Sequence, residues 1–330
     1  MPVKVGIPRA LLFYEYYSLW IGFFEELGAE VIISSKTNKE IVDKGVKNTV
    51  DEACLPVKVF HGHVIDLKDR VDYVFVPRII SVSKNEYICP KFCGLPEMVK
   101  HSIDGLPEFI DTSIDFRKSD KNLNKTVMEI GRYITKDTKK IGRAFEHAME
   151  RYRQYKVNLK MGLLPIDILK EKSLVKVSDS ISREKVLLLG HPYNIYDSYL
   201  SMEIVDKLRR NNLTVLTYDS LEEDVIKKKA DTLDKKMFWS FGRKIIGTAL
   251  KAIEDDEVRG IIYLSSFGCG LDSVIADIVE RRIRRGSNKP FTMLSLDEHT
   301  GEAGVDTRIE AFVDMIRWRE EHENNLSAYR

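Results

Sequence analysis

The sequence predicts an α/β protein with two doubly wound parallel-sheet domains that face a cleft and are joined by a helical connector. The chain has 330 residues, which is more than one ordinary domain needs. In both halves, short apolar runs alternate with segments of helical periodicity, as in parallel β-α units. A charged segment of helical periodicity separates the two halves.

The predicted N-terminal α/β domain covers residues 1–114. It begins with an apolar strand and then a helix that ends at Gly28, a residue type suited to helix C-termini. Strands and helices then alternate with short connections. The predicted strands are 3–7, 30–34, 73–76 and 108–111, and the predicted helices are 9–27, 39–48, 55–69 and 98–103.

Residues 115–180 form the predicted helical connector. They are rich in Lys, Arg and Glu, and their apolar residues recur at helical spacing. The simplest interpretation of the charge is a solvated helix face rather than a binding patch.

The predicted C-terminal α/β domain, residues 181–330, repeats the architecture of the first without a residue-level repeat. Its predicted strands are 185–189, 214–218, 260–264 and 291–296, and its predicted helices are 198–210, 240–253, 272–285 and 307–320.

Composition excludes several classes of protein. Lys plus Arg is 52 and Asp plus Glu is 51, and this balance gives no support to a nucleic-acid binder. No run of about 18 uncharged apolar residues is present to span a membrane. The N-terminus lacks the pattern of a signal peptide, so we expect a cytoplasmic protein. Its four cysteines are then expected to be thiols or metal ligands rather than disulfides.

The cysteines stand where strands or loops lead into helices. Cys54 precedes a predicted helix, Cys89 and Cys93 lie in a loop rich in Pro and Gly, and Cys269 falls between a strand and a helix. Helix N-termini and glycine-rich turns at such positions stabilise thiolates. Four thiolates from three loops suit a 4Fe–4S cluster, and a larger cluster is an option.

Other interpretations of the cysteines remain open. Free cysteines are often small core residues, and the pair separated by three residues is a poor zinc signature. A catalytic thiolate paired with His61, His63 or His299 is another option. The turn at 268–273 nearly matches a dinucleotide fingerprint, which keeps NAD or flavin binding open.

Further polar segments cluster at the same predicted sheet edge. Residues 190–194 (GHPYN) contribute Tyr193 and Asn194 as candidate cofactor-binding residues, and Gly268 and Gly270 flank a cysteine. In the loop 297–304 (DEHTGEAG), Glu298 and His299 are candidate acid/base groups, and the same loop suits hydrogen bonds to a cluster or protein docking. Its simpler interpretation is a turn that caps the last helix. Arg9 and Lys58 carry positive charges suited to a bound anion or cluster.

Six segments together resemble the stand-alone form of the domain of unknown function related to acyl-CoA dehydratase activases. They are 6–11 (GIPRAL), 51–58 (DEACLPVK), 88–92 (ICPKF), 190–194 (GHPYN), 267–270 (FGCG) and 297–304 (DEHTGEAG). More distantly, the chain resembles 2-hydroxyacyl-CoA dehydratases, benzoyl-CoA reductases and double-cubane cluster proteins.

The resemblance implies two α/β domains with an iron–sulfur cluster bound through three cysteines, which match Cys54, Cys89 and Cys269. Cys93 departs from the family motif, where that position is commonly apolar, and is either a fourth ligand or a neighbour. The resemblance also implies a homodimer and an ATP-dependent activase, with its own iron–sulfur cluster, that delivers low-potential electrons.

Three functional hypotheses follow. The first is an iron–sulfur reductase or electron-transfer protein that is supplied by the activase and acts on a small-molecule substrate. The second is a module that carries a cluster or docks an activase, without turnover of its own. The third is an NAD- or flavin-dependent oxidoreductase that uses the turn at 268–273.

Overall fold

The computed structural model describes residues 1–117, 121–170 and 184–327. The predicted α/β class is confirmed, with parallel strands throughout the two larger sheets. Contacts divide the chain into two compact units. The N-terminal unit comprises Met1–Leu159 with Met237–Gly242, and the C-terminal unit comprises Lys160–Lys236 with Arg243–Arg330.

The N-terminal unit contains two parallel sheets. Its strands are β1 (Lys4–Ile7), β2 (Glu30–Ile33), β3 (Tyr73–Phe75), β4 (Arg78–Ser81), β5 (Glu108–Ile110) and β6 (Ser113–Asp115). The main sheet has the order β2-β1-β3-β5, and β4 pairs with β6. The strand order therefore reverses between β1 and β3, and in open α/β sheets ligands bind outside the carboxyl ends of strands at such a switch point.

Most of the predicted helices of this unit are confirmed. The helices are α1 (Phe13–Glu26), α2 (Lys39–Lys47), α3 (Leu55–Leu67), α4 (Pro90–Ser102), α5 (Lys121–Gly131) and α6 (Thr138–Lys160). Gly28 follows the end of α1 with a φ of +85°, as expected for a glycine at this position. The helix starts later than predicted, because Leu11 adopts a φ of +52° and interrupts the chain after β1.

Two glycines allow α2 and α3 to pack backbone to backbone. A Cβ atom at Gly45 would collide with the carbonyl of Lys58, and one at Gly62 would collide with the carbonyl of Ile41. Each helix thus presents a glycine to the backbone of the other. This contact fixes the position of α3.

The C-terminal unit contains one parallel sheet. Its strands are β7 (Lys185–Gly190), β8 (Thr214–Leu216), β9 (Val258–Ser266) and β10 (Phe291–Leu296), in the order β10-β9-β7-β8. Read from β8, this is the same order as in the main sheet of the N-terminal unit, with a switch point between β7 and β9. Val186 to Leu189 are almost wholly buried, as expected for a strand covered on both faces.

The remaining helices are α7 (Pro165–Leu169), α8 (Pro192–Ile195), α9 (Ile204–Arg210), α10 (Glu223–Ala230), α11 (Ser240–Ile253), α12 (Gly270–Gly286) and α13 (Glu302–Ser327). Of these helices, four were predicted, and the short helices α7, α8 and α10 were not. α9 begins six residues later than predicted, because Met202 and Glu203 both have positive φ values, near +51° and +54°. None of the helices in the described ranges is long and apolar enough to cross a membrane.

The predicted connector, 115–180, contains β6, α5, α6 and α7 in its described part. The division between the two units falls after residue 159, at the end of α6. Residues 118–120 and 171–183 of the connector lie outside the described residues. The predicted domain boundaries stay a prediction.

Candidate functional site

Three of the four cysteines lie at the N-cap positions of helices. Cys54 precedes α3, Cys89 precedes α4 and Cys269 precedes α12. Proline in the first turn of α3 and α4 removes no helical hydrogen bond, because the first N–H groups of a helix have no partner inside the helix. Unpaired N–H groups and the helix dipole at such a terminus favour negatively charged groups in general.

Cys93 lies inside a helix, and the prediction that it belongs to a loop is wrong. α4 begins at Pro90, so Cys93 stands one turn after Cys89 on the same helix. The Pro and Gly residues of this segment suggested a loop, but Pro90 occupies the first helical position. Nη1 of Arg78 donates a hydrogen bond of 2.8 Å to the carbonyl oxygen of Cys93 and also pairs with Glu97.

None of the four cysteines, all of which lie in the described ranges, forms a disulfide bond. Cys54 is buried and the other three are half-buried. Cys54, Cys89 and Cys93 belong to the N-terminal unit, and Cys269 belongs to the C-terminal unit. Across the described ranges, no three His, Cys, Asp or Glu side chains are grouped so that they could hold a metal ion. The assignment of the cysteines as metal ligands stays a prediction.

A buried carboxylate organises the switch point of the C-terminal unit. Asp272, in the first turn of α12, is 1% exposed. One of its oxygens, Oδ1, accepts a hydrogen bond of 3.1 Å from the Tyr263 hydroxyl and lies 3.4 Å from Nε2 of His191. The other, Oδ2, accepts from the backbone N–H of Ser266 at 3.2 Å and from Nδ2 of Asn194 at 3.3 Å. The network therefore joins the ends of β7 and β9 to the start of α12.

Burial sets the protonation of this network. It lowers the pKa of His191 and outweighs the opposing effect of Asp272. Burial and the charge of Asp272 both raise the pKa of Tyr263. Tyr263 therefore remains a hydrogen-bond donor and His191 remains neutral near pH 7. The site presents a fixed arrangement of dipoles around one carboxylate.

Cys269 precedes Asp272 by three residues, and the two residues are in contact. The backbone N–H of Asp272 points at Sγ of Cys269 over 3.4 Å, the N-cap bond of α12. Gly268 has a φ of +73°, which a residue with a side chain adopts only at a cost. Gly270 has no atom within 4 Å of the position of a Cβ atom, so space remains beside the cysteine.

The other predicted cofactor-binding residues are buried. Tyr193 stacks on His191 with ring centroids 5.0 Å apart, and Asn194 belongs to the Asp272 network, where Oγ of Ser266 donates to its Oδ1 at 2.6 Å. Lys58 is 6% exposed and lies on α3, where its backbone N–H bonds to the carbonyl of Cys54. Their roles toward a cofactor stay predictions.

The two candidate acid/base residues lie in a tight turn between β10 and α13. Thr300 and Asp297 close the turn, and the backbone N–H of His299 donates to Oδ1 of Asp297 at 2.7 Å. Glu298 is half-buried and His299 is exposed. The turn follows β10, the edge strand, one strand away from the switch point. It leads into α13, in line with the simpler interpretation of this segment.

The paired histidines of α3 have separate partners. Nδ1 of His61 lies 2.8 Å from the carbonyl of Val57. His63 lies between Oγ of Ser34, at 2.8 Å from Nδ1, and Oγ1 of Thr37, at 3.0 Å from Nε2. Burial lowers the pKa of His63 to about 3, so its ring is neutral. His63 links the end of β2 to α3.

Sequence reasoning missed Asp272, Tyr263 and Ser266. Each lies beside a segment that carried a prediction, but an aspartate in the first turn of a helix is common for reasons of stability alone. The sequence signal that could have identified them was their position at the junction of a strand and a helix. Ser266 ends β9, and Asp272 follows Cys269 by three residues, at a predicted strand-to-helix turn.

The molecule is thus an α/β protein with two parallel sheets of equal strand order and cysteines at the starts of three helices. The profile of the CoA enzyme activase uncharacterised domain family matches residues 4–221, well over half of the chain. The chain belongs to this family. The predicted relation to activases is confirmed by this match, which ends before β9, Cys269 and the loop at 297–304. No match was found among curated proteins.

Proposed function

We propose that the protein binds an iron–sulfur cluster through Cys54, Cys89 and Cys269 and uses it for low-potential electron transfer or reduction of a small-molecule substrate. A 4Fe–4S cluster is the expected form, with a larger cluster as the alternative. The observation that carries the proposal is the N-cap position of all three cysteines. Membership of an activase-related family supports the redox context.

The chemistry of the donors suits such a cluster. Iron–sulfur clusters are held by thiolates, and a helix N-terminus lowers the cost of keeping a cysteine deprotonated. The bound cluster would supply electrons one at a time. Hydrogen bonds to ligand sulfurs raise the reduction potential, so the N–H of Asp272 beside Sγ of Cys269 would tune it.

The residues around Cys269 have positioning roles in this proposal. Asp272 and its donors hold the turn between β9 and α12 in one geometry. Gly270 leaves room for a bulky group. Glu298 and His299 remain the candidates for moving a proton to or from a substrate.

The proposed partner is an ATP-dependent activase with its own iron–sulfur cluster, and a homodimer is part of the proposal. The family relation, which links the chain to CoA enzyme activases, supports the activase partner. The homodimer is proposed from the more distant resemblance to dehydratases and reductases. The cytoplasm, a reducing compartment, is the proposed location, since none of the four cysteines, all within the described ranges, forms a disulfide bond.

The test is the iron and acid-labile sulfide content of anaerobically purified protein, for the wild type and for Cys→Ala at each position. We expect about four irons per chain, lost with Cys54→Ala, Cys89→Ala or Cys269→Ala. Retention of iron in Cys93→Ala identifies it as a neighbour, and loss identifies a fourth ligand. Absence of iron and sulfide after anaerobic reconstitution would overturn the proposal.

A second candidate function is a cluster-carrying docking module without turnover. It is favoured by exposed aromatic side chains beside two cysteines. Tyr87 and Phe238 are 43% and 49% exposed near Cys89, and Phe267 is 68% exposed near Cys269. Such aromatic residues are typical of protein interfaces. Bound iron without reduction of any substrate by a strong chemical reductant would favour this function over the first.

A further inference from the structure

The switch point of the N-terminal unit holds an arginine without a carboxylate partner. Arg9 follows β1 by two residues, and its backbone N–H donates to Oγ of Ser34 at 2.7 Å. Its guanidinium carbon lies 5.8 Å from the ring centroid of Phe13. Within the described ranges, no carboxylate lies at ion-pair distance from this guanidinium. Its positive charge is available at the place where open α/β sheets bind ligands.

A tyrosine with a buried hydroxyl packs against the ring that the Arg9 guanidinium contacts. Tyr17 is one helical turn beyond Phe13, and the two rings stack with centroids 5.4 Å apart. Tyr17 is 7% exposed, and its hydroxyl has no hydrogen-bond partner among the described residues. A buried hydroxyl without a hydrogen-bond partner is destabilising, so such a group calls for an explanation.

Arg9 acts on the groups around it through its charge. It lowers the pKa of Tyr17 and also that of His63, although burial dominates both groups. Burial raises the pKa of Tyr17, so its hydroxyl keeps its proton. His63 is engaged by Ser34 and Thr37. The donors that remain for a ligand are the Arg9 guanidinium and the Tyr17 hydroxyl.

We propose that the guanidinium of Arg9 and the hydroxyl of Tyr17 form a binding site for a small oxyanion, the carboxylate or phosphate group of a ligand. A guanidinium matches the two oxygens of either group in a bidentate pair, and the hydroxyl adds one charge-assisted hydrogen bond. Arg9 is half-buried, so part of its side chain is accessible to a ligand from solvent. The site requires neither a cluster nor a cysteine.

The first experiment measures binding of acetate and of inorganic phosphate by calorimetry, on the wild-type protein as purified anaerobically. We expect millimolar or tighter binding of at least one of them. The stronger ligand of the two identifies the carboxylate or the phosphate as the source. Absence of binding by both at about 20 mM, where a ligand with millimolar Kd would be nearly saturated, would overturn the proposal.

The decisive variants are Arg9→Gln and Tyr17→Phe, with Arg132→Gln as the control. Arg132 is an exposed arginine of the same unit, so its replacement makes the same change in net charge. We expect Arg9→Gln to abolish binding, Tyr17→Phe to weaken it about tenfold or more, and Arg132→Gln to leave it unchanged. Equal weakening by both arginine variants would show a net-charge effect and contradict the proposal.

Thermal unfolding without added anion separates binding from folding. Tyr17→Phe removes an unpaired buried hydroxyl, so the Tm should stay the same or rise. A variant that is as stable as the wild type and yet binds the anion more weakly supports the proposal. Unchanged anion affinity in Tyr17→Phe would remove the hydroxyl from the site and overturn the proposal as stated.

Discussion

Asp272 gathers polar side chains and a backbone N–H from three segments of the C-terminal unit around one carboxylate. Its partners come from β9, from α8 and from the residue that precedes α8. A buried carboxylate costs several kcal/mol of desolvation unless hydrogen bonds compensate it, and here they do. The same residue touches Sγ of Cys269 through its N–H. Asp272 therefore both holds the turn between β9 and α12 in place and contacts a proposed cluster ligand.

At the residue scale, the sequence predicts which side chains could bind a ligand or transfer a proton, but not which of them contact one another in the fold. Asn194 and Gly268 were found because their segments stand at strand ends. Asp272 was not, because a helix-starting aspartate looks the same in sequence whether it is buried among three hydrogen-bond donors or solvated. Contacts of this kind depend on the register between β7 and β9, which no local pattern encodes.

His63 makes stability depend on pH. Its pKa is lowered by burial to about 3 in the fold, against an ordinary value of 6.5. As the pH falls from 6.5 toward 3, the unfolded chain takes up a proton that the folded chain does not, so the free energy of unfolding decreases. We expect a loss on the order of 4 kcal/mol over this window, measured by urea unfolding at several pH values.

His63→Gln should remove part of this pH dependence, while His61 and His191 keep theirs because their pKa values are also lowered. His101→Gln, at an exposed position of the same unit, is the matched control and should leave the slope unchanged. A His63→Gln variant with the wild-type slope would contradict the assignment.

At the element scale, the start of α4 explains the main error of the sequence analysis. Residues 89–96 contain two prolines and a glycine, which are typical of a loop. In the fold, Pro90 begins the helix and Pro96 is accommodated within it. Elements with clean periodicity, such as α11 and β10, match their predicted bounds. Composition misleads where proline stands in the first turn.

The glycine contact between α2 and α3 gives a prediction at this scale. Gly62→Ala places a methyl group against the carbonyl of Ile41, which is backbone and cannot give way. We expect a loss of about 2–4 kcal/mol in the free energy of unfolding, measured with urea. The shift of α3 should also perturb Cys54, detected as a changed rate of thiol alkylation.

Gly94→Ala is the matched control. Gly94 lies within α4, and nothing lies within 4 Å of its missing Cβ atom. We expect a gain of about 0.5–1 kcal/mol, the usual difference between Ala and Gly in a helix. The critical outcome is that the free energy of unfolding falls with Gly62→Ala and rises with Gly94→Ala. Destabilisation by both substitutions would refute the packing argument.

At the scale of the whole molecule, both main sheets share one strand order and each has a switch point. The two points differ in chemistry. The one between β7 and β9 contains the Asp272 network, and the one between β1 and β3 contains Arg9. The alternation of strands and helices predicted this architecture. It did not predict that Met237–Gly242 would join the N-terminal unit. The link is a single β-bridge between Tyr87 and Trp239, which leaves no periodic pattern in the sequence.

This returning segment, Met237–Gly242, gives a prediction of its own. The N–H of Tyr87 bonds to the carbonyl of Phe238, and the N–H of Ser240 bonds to the carbonyl of Tyr87, both at 2.8 Å. Ser240→Pro removes the second bond, while proline remains acceptable at the first position of α11. We expect hydrogen exchange at Tyr87 to accelerate about tenfold, as for the loss of one backbone hydrogen bond.

Ser240→Ala is the control for this change, since it retains the backbone N–H and loses only the weaker contact from Oγ at 3.3 Å. Its exchange at Tyr87 should stay near the wild-type rate. Equal acceleration in the two variants would locate the effect in the hydroxyl rather than in the backbone.

The returning segment also governs how the protein takes shape on the ribosome. The N-terminal unit is incomplete until residues 237–242 have been synthesised. While residues 160–236 are being made, the backbone of Tyr87 therefore lacks its hydrogen-bond partners, Phe238 and Ser240. At bacterial or eukaryotic rates of translation this interval lasts several seconds. During that time Cys89 lies two residues from a backbone segment whose hydrogen-bond partners have not yet been made. The surroundings of this cysteine are therefore completed later than the rest of the N-terminal unit, although Cys89 belongs to the first-made part of the chain.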